Sequence, residues 1–307
     1  MSVKSPRRNS MTEPRYDVIA IGNAIVDVMS PAEDSLIDEL DMVRGAMTLV
    51  DADRATSLYE AMGPAREISG GSAANTLAGL SALGAQCAFI GQVANDQLGE
   101  VFAHDIRAGA IDYDTPVRIG DPPTGRCLIF VTADGQRTMN TFLGASQFLP
   151  ASALDLDAVR DSKILYLEGY LWDPAEPRAA MRQAIETAKG AGRKVAFTLS
   201  DAFVIDRHGD DFQALIDAQL IDILFANHVE LAALTGETDF EAGLAALAPK
   251  VPVLVVTCGE RGAVALAGEE RVSVSAEPVE RVVDTTGAGD LFASGFLFGH
   301  VRGKDLQ

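Results

Sequence analysis

Short apolar runs rich in β-branched residues alternate along this chain with longer helical stretches, and that alternation constrains the fold more than any other feature. The runs occupy residues 16–22, 87–93, 163–168, 194–199, 221–226 and 252–258. Helical stretches lie between several of them, at 75–83, 97–108, 176–191, 212–220 and 240–247. A short apolar run that does not alternate with polar residues reads as a strand buried on both faces. Strands separated by helices close as βαβ units. An α/β fold with a mostly parallel central sheet and helices on both of its faces is therefore expected.

Two stretches break this rhythm. Residues 44–50 follow the first strand closely, and residues 112–143 read as strands with turns at Asp121-Pro-Pro-Thr-Gly125 and Ala133-Asp-Gly135. The segments 126–132 and 136–142 around Asp134-Gly135 have the form of a hairpin. A discontinuous small β-sheet lid is expected from about 24–50 and 112–143, of the kind that excludes water from group-transfer chemistry. The same segments suit a structural β-extension or a dimer contact, so the expected state is a monomer or a homodimer. The leader carries Lys4, Arg7, Arg8 and Arg15 with no apolar stretch behind them. It reads as a flexible N-terminal tail over 1–15 rather than a signal peptide, leaving 16–307 as the folded unit.

Charge narrows the function classes. Among 307 residues, 44 acidic against 25 basic give a net charge of −19. Nucleic acid and anionic membrane surfaces need a basic footprint, so neither is an expected partner. Phosphorylated ligands stay open, because backbone N–H groups bind phosphate inside acidic proteins. The three cysteines, Cys87, Cys127 and Cys258, are widely spaced with no C-x-x-C, and the four histidines form no H-E-x-x-H. Neither a disulfide framework nor a transition-metal site is indicated, and a cytoplasmic location is expected. No apolar run approaches the length of a membrane span.

The sharpest chemical motif is Asp284-Thr-Thr-Gly-Ala-Gly-Asp290, which opens the apolar stretch Leu291-Phe-Ala-Ser-Gly-Phe-Leu-Phe298. Glycines at the mouth of a helix expose backbone N–H groups at its positive end, an arrangement suited to a transferring phosphoryl group. Asp290 lies in the same turn, where a carboxylate can accept the proton of an attacking hydroxyl. A packing turn with an N-capping aspartate has the same spacing. A dinucleotide fingerprint starting at Gly287 would need glycine where Phe292 stands, and no G-x-x-x-x-G-K-[ST] occurs.

This motif resembles the C-terminal signature of the ribokinase-like (PfkB) carbohydrate and nucleoside kinases, and further matches follow in family order. Gly22-Asn23-Ala-Ile-Val-Asp27 is similar to the first-strand motif, Ser69-Gly70-Gly71-Ser72-Ala73-Ala74-Asn75 to the N-terminal signature, Asn227-His-Val-Glu230 to the N-x-x-E motif, and Thr257-Cys-Gly259-Glu-Arg-Gly262 to the nucleotide-binding turn. The resemblance implies a three-layer αβα, Rossmann-like domain and an ATP-dependent phosphotransferase acting on a primary hydroxyl. It implies Asp290 as catalytic base, with Gly287, Ala288 and Gly289 as the anion hole. Asp27, Gly70, Gly71 and Asn75 would hold substrate hydroxyls. Thr257, Gly259 and Gly262 would meet the nucleotide. Asn227 and Glu230 would organise Mg²⁺ through water, with no direct metal ligand, and a monovalent cation beside the anion hole is an optional family component. Taken singly, Asp27 reads equally as a turn cap, Asn75 as a helix cap, and the Asn227/Glu230 spacing as a surface pair.

Many sugar kinases of the family carry lysine where Ser72 stands. That difference, with Leu77 and the segment Arg137-Thr-Met-Asn-Thr-Phe-Leu-Gly-Ala145, is similar to the adenosine-kinase branch. The substrate implied is adenosine first and a furanose sugar second, with Phe130, Phe142 and Leu143 as candidates to clamp a base. A catalytically weak nucleoside- or sugar-binding protein on the same fold is the alternative. Family members usually continue with further helices beyond the position of Gln307, 17 residues past Asp290, which implies either a shortened chain or a more open nucleotide site here.

Overall fold

The computed structural model describes residues 13–280, 285 and 287–306; residues 1–12 of the leader, and Asp284 and Thr286 of the glycine loop, lie outside the described residues. In chain order the strands are β1 (Tyr16–Ile21), β2 (Ile25–Pro31), β3 (Met47–Leu49), β4 (Arg66–Gly70), β5 (Cys87–Ile90), β6 (Ile111–Asp112) and β7 (Gly125–Val131). They continue as β8 (Arg137–Phe142), β9 (Ser162–Glu168), β10 (Lys194–Thr198), β11 (Ile223–Asn227), β12 (Val253–Thr257), β13 (Ala263–Ala267) and β14 (Glu270–Val274). The α-helices are α1 (Asp34–Glu39), α2 (Ala52–Ala61), α3 (Ser72–Ala82), α4 (Gln97–Ala108) and α5 (Leu156–Arg160). The second half holds α6 (Ala175–Gly190), α7 (Ala202–Asp217), α8 (His228–Thr235), α9 (Phe240–Leu247) and α10 (Ala288–Val301).

Among the described residues nine strands form the large sheet, in the order β14-β13-β12-β11-β10-β9-β1-β5-β6. From β12 to β6 the neighbours are parallel, and the β12–β13–β14 meander adds an antiparallel edge. Side chains alternate across a strand, so each strand feeds two cores. Ile19, Ile21, Leu165, Leu167, Val195 and Phe197 face the side covered by α5 to α9. Val18, Ala20, Ile164, Tyr166 and Ala196 face the side covered by α3, α4 and α10. Expected and observed elements agree in type along this sheet. The clearest boundary difference is α7, which begins ten residues before the expected 212 because Asp201 accepts a hydrogen bond from Phe203 N and caps a new start.

A second sheet of five strands, in the order β3-β8-β7-β2-β4, stands over the large one. It takes β2, β3, β7 and β8 from the stretches expected to build it, and β7–β8 is the antiparallel hairpin around Asp134-Gly135. Two memberships differ from expectation. Arg66–Gly70 joins as an edge strand, pairing antiparallel with β2 from Ile25↔Gly70 to Met29↔Arg66. Ile111–Asp112 instead extends the large sheet beside β5. One face of the small sheet, with Val26, Val28, Leu128 and Phe130, packs into the core. Ile25, Asp27, Cys127, Ile129, Met139 and Thr141 lie on the opposite face and line a cavity.

Helix α10 packs on α3 at close range. Ser294 Oγ donates to Thr76 O at 2.7 Å, and a Cβ added at Gly79 would lie 2.5 Å from Ser294 Oγ. This approach brings the N-termini of the two helices together. Among the described residues no helix is long and apolar enough to cross a membrane.

Candidate active site

A cavity of about 450 Å³ opens between the two sheets. Its floor is formed by the carboxyl ends of parallel strands: Asn23 follows β1, Glu168 ends β9, Thr198 ends β10, Asn227 ends β11 and Thr257 ends β12. In open α/β sheets ligands bind at this edge, near the point where the strand order reverses. Here the order reverses between β1 and β9.

Asp290 enters from the first turn of α10. Its Oδ1 accepts from Ser72 Oγ at 2.6 Å and its Oδ2 accepts from Asn75 Nδ2 at 3.2 Å. Burial raises its pKa, while the Ser72 and Asn75 hydrogen bonds oppose the rise. Gly287 caps α10 with φ +72°, a left-handed backbone that glycine adopts without a Cβ penalty. Gly287 and Gly289 line the cavity, and Ala288 does not; its N–H donates to Thr285 O at 3.1 Å. The first-turn amides and the positive end of α10 therefore lie beside the Asp290 carboxylate.

Asp27 sits across the cavity on β2. Burial pushes its carboxyl up to about 6; the Arg137 guanidinium opposes the rise and Asp290 adds to it. Gly70 does not line the cavity, but a Cβ there would lie 2.6 Å from Asp27 Cγ, so its bareness makes room for that carboxylate. Gly71, with φ +101°, brings its main chain against Asn23, and a Cβ would lie 2.3 Å from Asn23 O. Both the backbone angle and the contact are with main chain, which cannot rotate aside. Gly71→Ala is expected to lower stability by at least about 2 kcal/mol; a denaturant midpoint equal to the native one would contradict this.

Asn227 and Glu230 form a capping box at the start of α8. Asn227 Oδ1 accepts from Val229 N at 2.8 Å and Glu230 N at 2.9 Å. Asn227 N donates to Glu230 Oε2 at 3.0 Å, and Asn227 Nδ2 donates to Glu230 Oε1 at 2.6 Å. This is more than a surface pair: Glu230 is buried, both residues line the cavity, and burial pushes the Glu230 carboxyl up to about 7. The nucleotide turn is only partly gathered in. Thr257 lines the cavity, whereas Gly259 and Gly262 do not. Gly262 is held to φ +94° by tight packing, a Cβ there meeting Val274 O at 1.9 Å.

The clamp candidates divide by strand parity. Leu143 lines the cavity, while Phe130 and Phe142 are buried in the core on the other face of the small sheet. Ile25, Cys127, Ile129 and Met139 take the facing positions, and Met47 and Leu49 of β3 extend that apolar wall. Sequence reading also missed Glu168, whose only signal was an acid closing an apolar strand. It likewise missed that Ser72 hydrogen-bonds Asp290, although Ser72 stood inside a recognised motif.

This α/β frame, with its cavity at the carboxyl edge beneath a small second sheet, is that of the carbohydrate and nucleoside kinases. Residues 47–307 match the profile of the pfkB family carbohydrate kinases, and the chain belongs to that family. It is similar to the crystal structure of adenosine kinase from Sinorhizobium meliloti, with a TM-score of 0.88 and 49% identity over 95% of this chain and 89% of that one. It is also similar to an uncharacterized sugar kinase of Archaeoglobus fulgidus, 27% identical over 75% of this chain and 88% of that protein. Fructokinase-2 of Solanum habrochaites is 29% identical over 74% of this chain and 71% of that protein.

Proposed function

We propose that the protein transfers the γ-phosphoryl group of ATP to the primary hydroxyl of a nucleoside, adenosine first among them. One cavity that joins a carboxylate half to an apolar half carries this reading. Asp27, Asn75 and Asp290 offer acceptors and a donor for ribose hydroxyls, and Ile25, Cys127, Ile129, Met139 and Leu143 form an apolar wall beside them. A nucleoside has both halves. A free sugar has hydroxyls on all sides and would leave that wall unused.

Asp27 and Asn75 would orient the ribose, which removes much of the entropic barrier to attack. Asp290 would accept the proton of the primary hydroxyl as its oxygen bonds to the γ-phosphorus and the bond to the leaving ADP breaks. The amides at Gly287 and Gly289 and the α10 dipole would face the oxygens of the transferring group. Mg²⁺, when bound, neutralises charge on the triphosphate. The Asn227–Glu230 pair suits holding it through water, because both Glu230 oxygens already accept from Asn227.

The test is ATP-to-ADP turnover with Mg²⁺ across nucleosides and furanoses. Turnover should favour adenosine, and turnover on free sugars alone would move the substrate to the second choice. Ile129→Asn sharpens the outcome. A polar group in the apolar wall should raise the KM for a nucleoside roughly tenfold or more and leave any turnover of a free furanose unchanged. Equal effects on both would remove the base from that wall.

A further inference from the structure

Of the cavity-wall acids with no task in the chemistry above, Glu168 is the fully buried one. Glu168 ends β9 with 0% of its surface exposed. It shares strand parity with Ile164 and Tyr166, which turns it toward α3 and the small sheet. Its Oε1 accepts from Asn23 N and from Asn23 Nδ2, each at 2.7 Å, and its Oε2 accepts from Ala73 N at 2.8 Å. Asn23 in turn accepts from Ser146 Oγ at its Oδ1, 2.7 Å away. Both polar ends of Asn23 and both oxygens of Glu168 are thus engaged within the protein.

These bonds span the point where the strand order reverses. Asn23 follows β1, Glu168 ends β9, and Ala73 lies in the first turn of α3, flanked by Gly71, Ser72 and Asn75. Ser72 and Asn75 are the two side chains that hold the Asp290 carboxylate. A buried charge costs free energy unless its hydrogen bonds are complete, and here three donors complete them.

We propose that Glu168 is a positioning residue for phosphoryl transfer: by gripping the Ala73 amide and the Asn23 main chain, it fixes the start of α3 so that Ser72 and Asn75 hold Asp290 in line with the substrate hydroxyl. The inference rests on Asp290 being the base. Glutamine at 168 has the same shape but only one acceptor oxygen, so its NH₂ faces either the Asn23 donors or the Ala73 N–H. Aspartate keeps the charge and is one methylene shorter, too short to reach both sides.

The experiment measures kcat and the nucleoside Kd in Glu168→Gln and Glu168→Asp, each also combined with Ser72→Ala, with thermal unfolding as the check on folding. Misplacement of a catalytic group by about an ångström costs roughly 10²-fold. A fall of that order in kcat is expected, with the nucleoside Kd within about threefold of native. In the Ser72→Ala background the further loss should shrink to roughly threefold or less, because residues that act as one unit are non-additive. Native-like kcat in either folded variant overturns the inference. So does a raised nucleoside Kd with kcat kept, which would make Glu168 a substrate ligand. A full multiplicative loss in the Ser72→Ala background, or failure of both variants to fold, would assign Glu168 to the fold alone. An Asp290→Asn variant with native turnover removes the base assignment and this inference together. An inactive Asp290→Asn beside a native-like Glu168→Gln removes this inference only.

Discussion

Asp290→Asn is expected to lower kcat by roughly 10²–10⁴-fold, the usual contribution of a positioned general base, while nucleoside affinity stays within about threefold. Asparagine keeps the size of the side chain and an oxygen that can accept from Ser72 Oγ, so the α3–α10 contact survives. It loses the ability to take a proton. On the proposed reading the nucleoside would be held chiefly by Asp27, Asn75 and the apolar wall, all of which line the cavity, so binding should persist when chemistry fails. Steady-state turnover set beside calorimetric binding of adenosine separates the two. A variant that turns over at the native rate would show that Asp290 is not the base. One that loses both turnover and binding would make it a substrate ligand instead.

Acidification is expected to move activity and stability in opposite directions. Burial pushes the carboxyls of Glu168 and Glu230 up to about 7 and that of Asp27 up to about 6, and Asp290 is displaced the same way. A carboxyl whose folded pKa lies above its unfolded one binds more protons folded than unfolded. Its contribution to stability is therefore lost as pH rises through the window between the two values and regained as pH falls. Self-repulsion from a net charge of −19 acts in the same direction. His300 opposes, since burial and the Lys194 ammonium lower its pKa. Asp17 is held below the usual carboxylate range: burial pushes upward, and hydrogen bonds from Lys163 and the Gln86 amide prevail. Its contribution is lost only in stronger acid. The unfolding midpoint should thus rise as pH falls from about 8 to about 5.5, while kcat/KM declines below about pH 7 as the cavity acceptors take up protons. Thermal scans and pH–rate profiles decide this. Stability that climbs with pH, or turnover flat down to about pH 5, would contradict it.

At the start of α8 an ordinary cap stands in an unusual location. Asn227 and Glu230 meet every requirement of a capping box, and yet Glu230 is 5% exposed and looks into the cavity. Read singly, the spacing gave no means of choosing between a surface pair and a site, because it satisfies both. Gly70 and Gly262 make a contrast: the first makes room for Asp27, and the second serves a tight turn away from the cavity. A glycine in a motif reports that a side chain is excluded. It does not report what excludes it.

By itself the sequence determined the alternation of strands and helices, the parallel sheet, the hairpin around Asp134-Gly135 and the glycine-led start of α10. These follow from periodicity and backbone preference, which act over a few residues. Tertiary structure alone decided the rest. Strand order placed Asn23 against Glu168, 145 residues apart, and the close packing of α3 on α10 placed Ser72 against Asp290, 218 residues apart. Pairing with β2 drew Arg66–Gly70 into the small sheet. Strand parity, set once the sheet chose which face to bury, turned Ile129 into the cavity and Phe130 into the core. Contacts of this kind depend on which elements become neighbours, and local pattern carries no record of that choice.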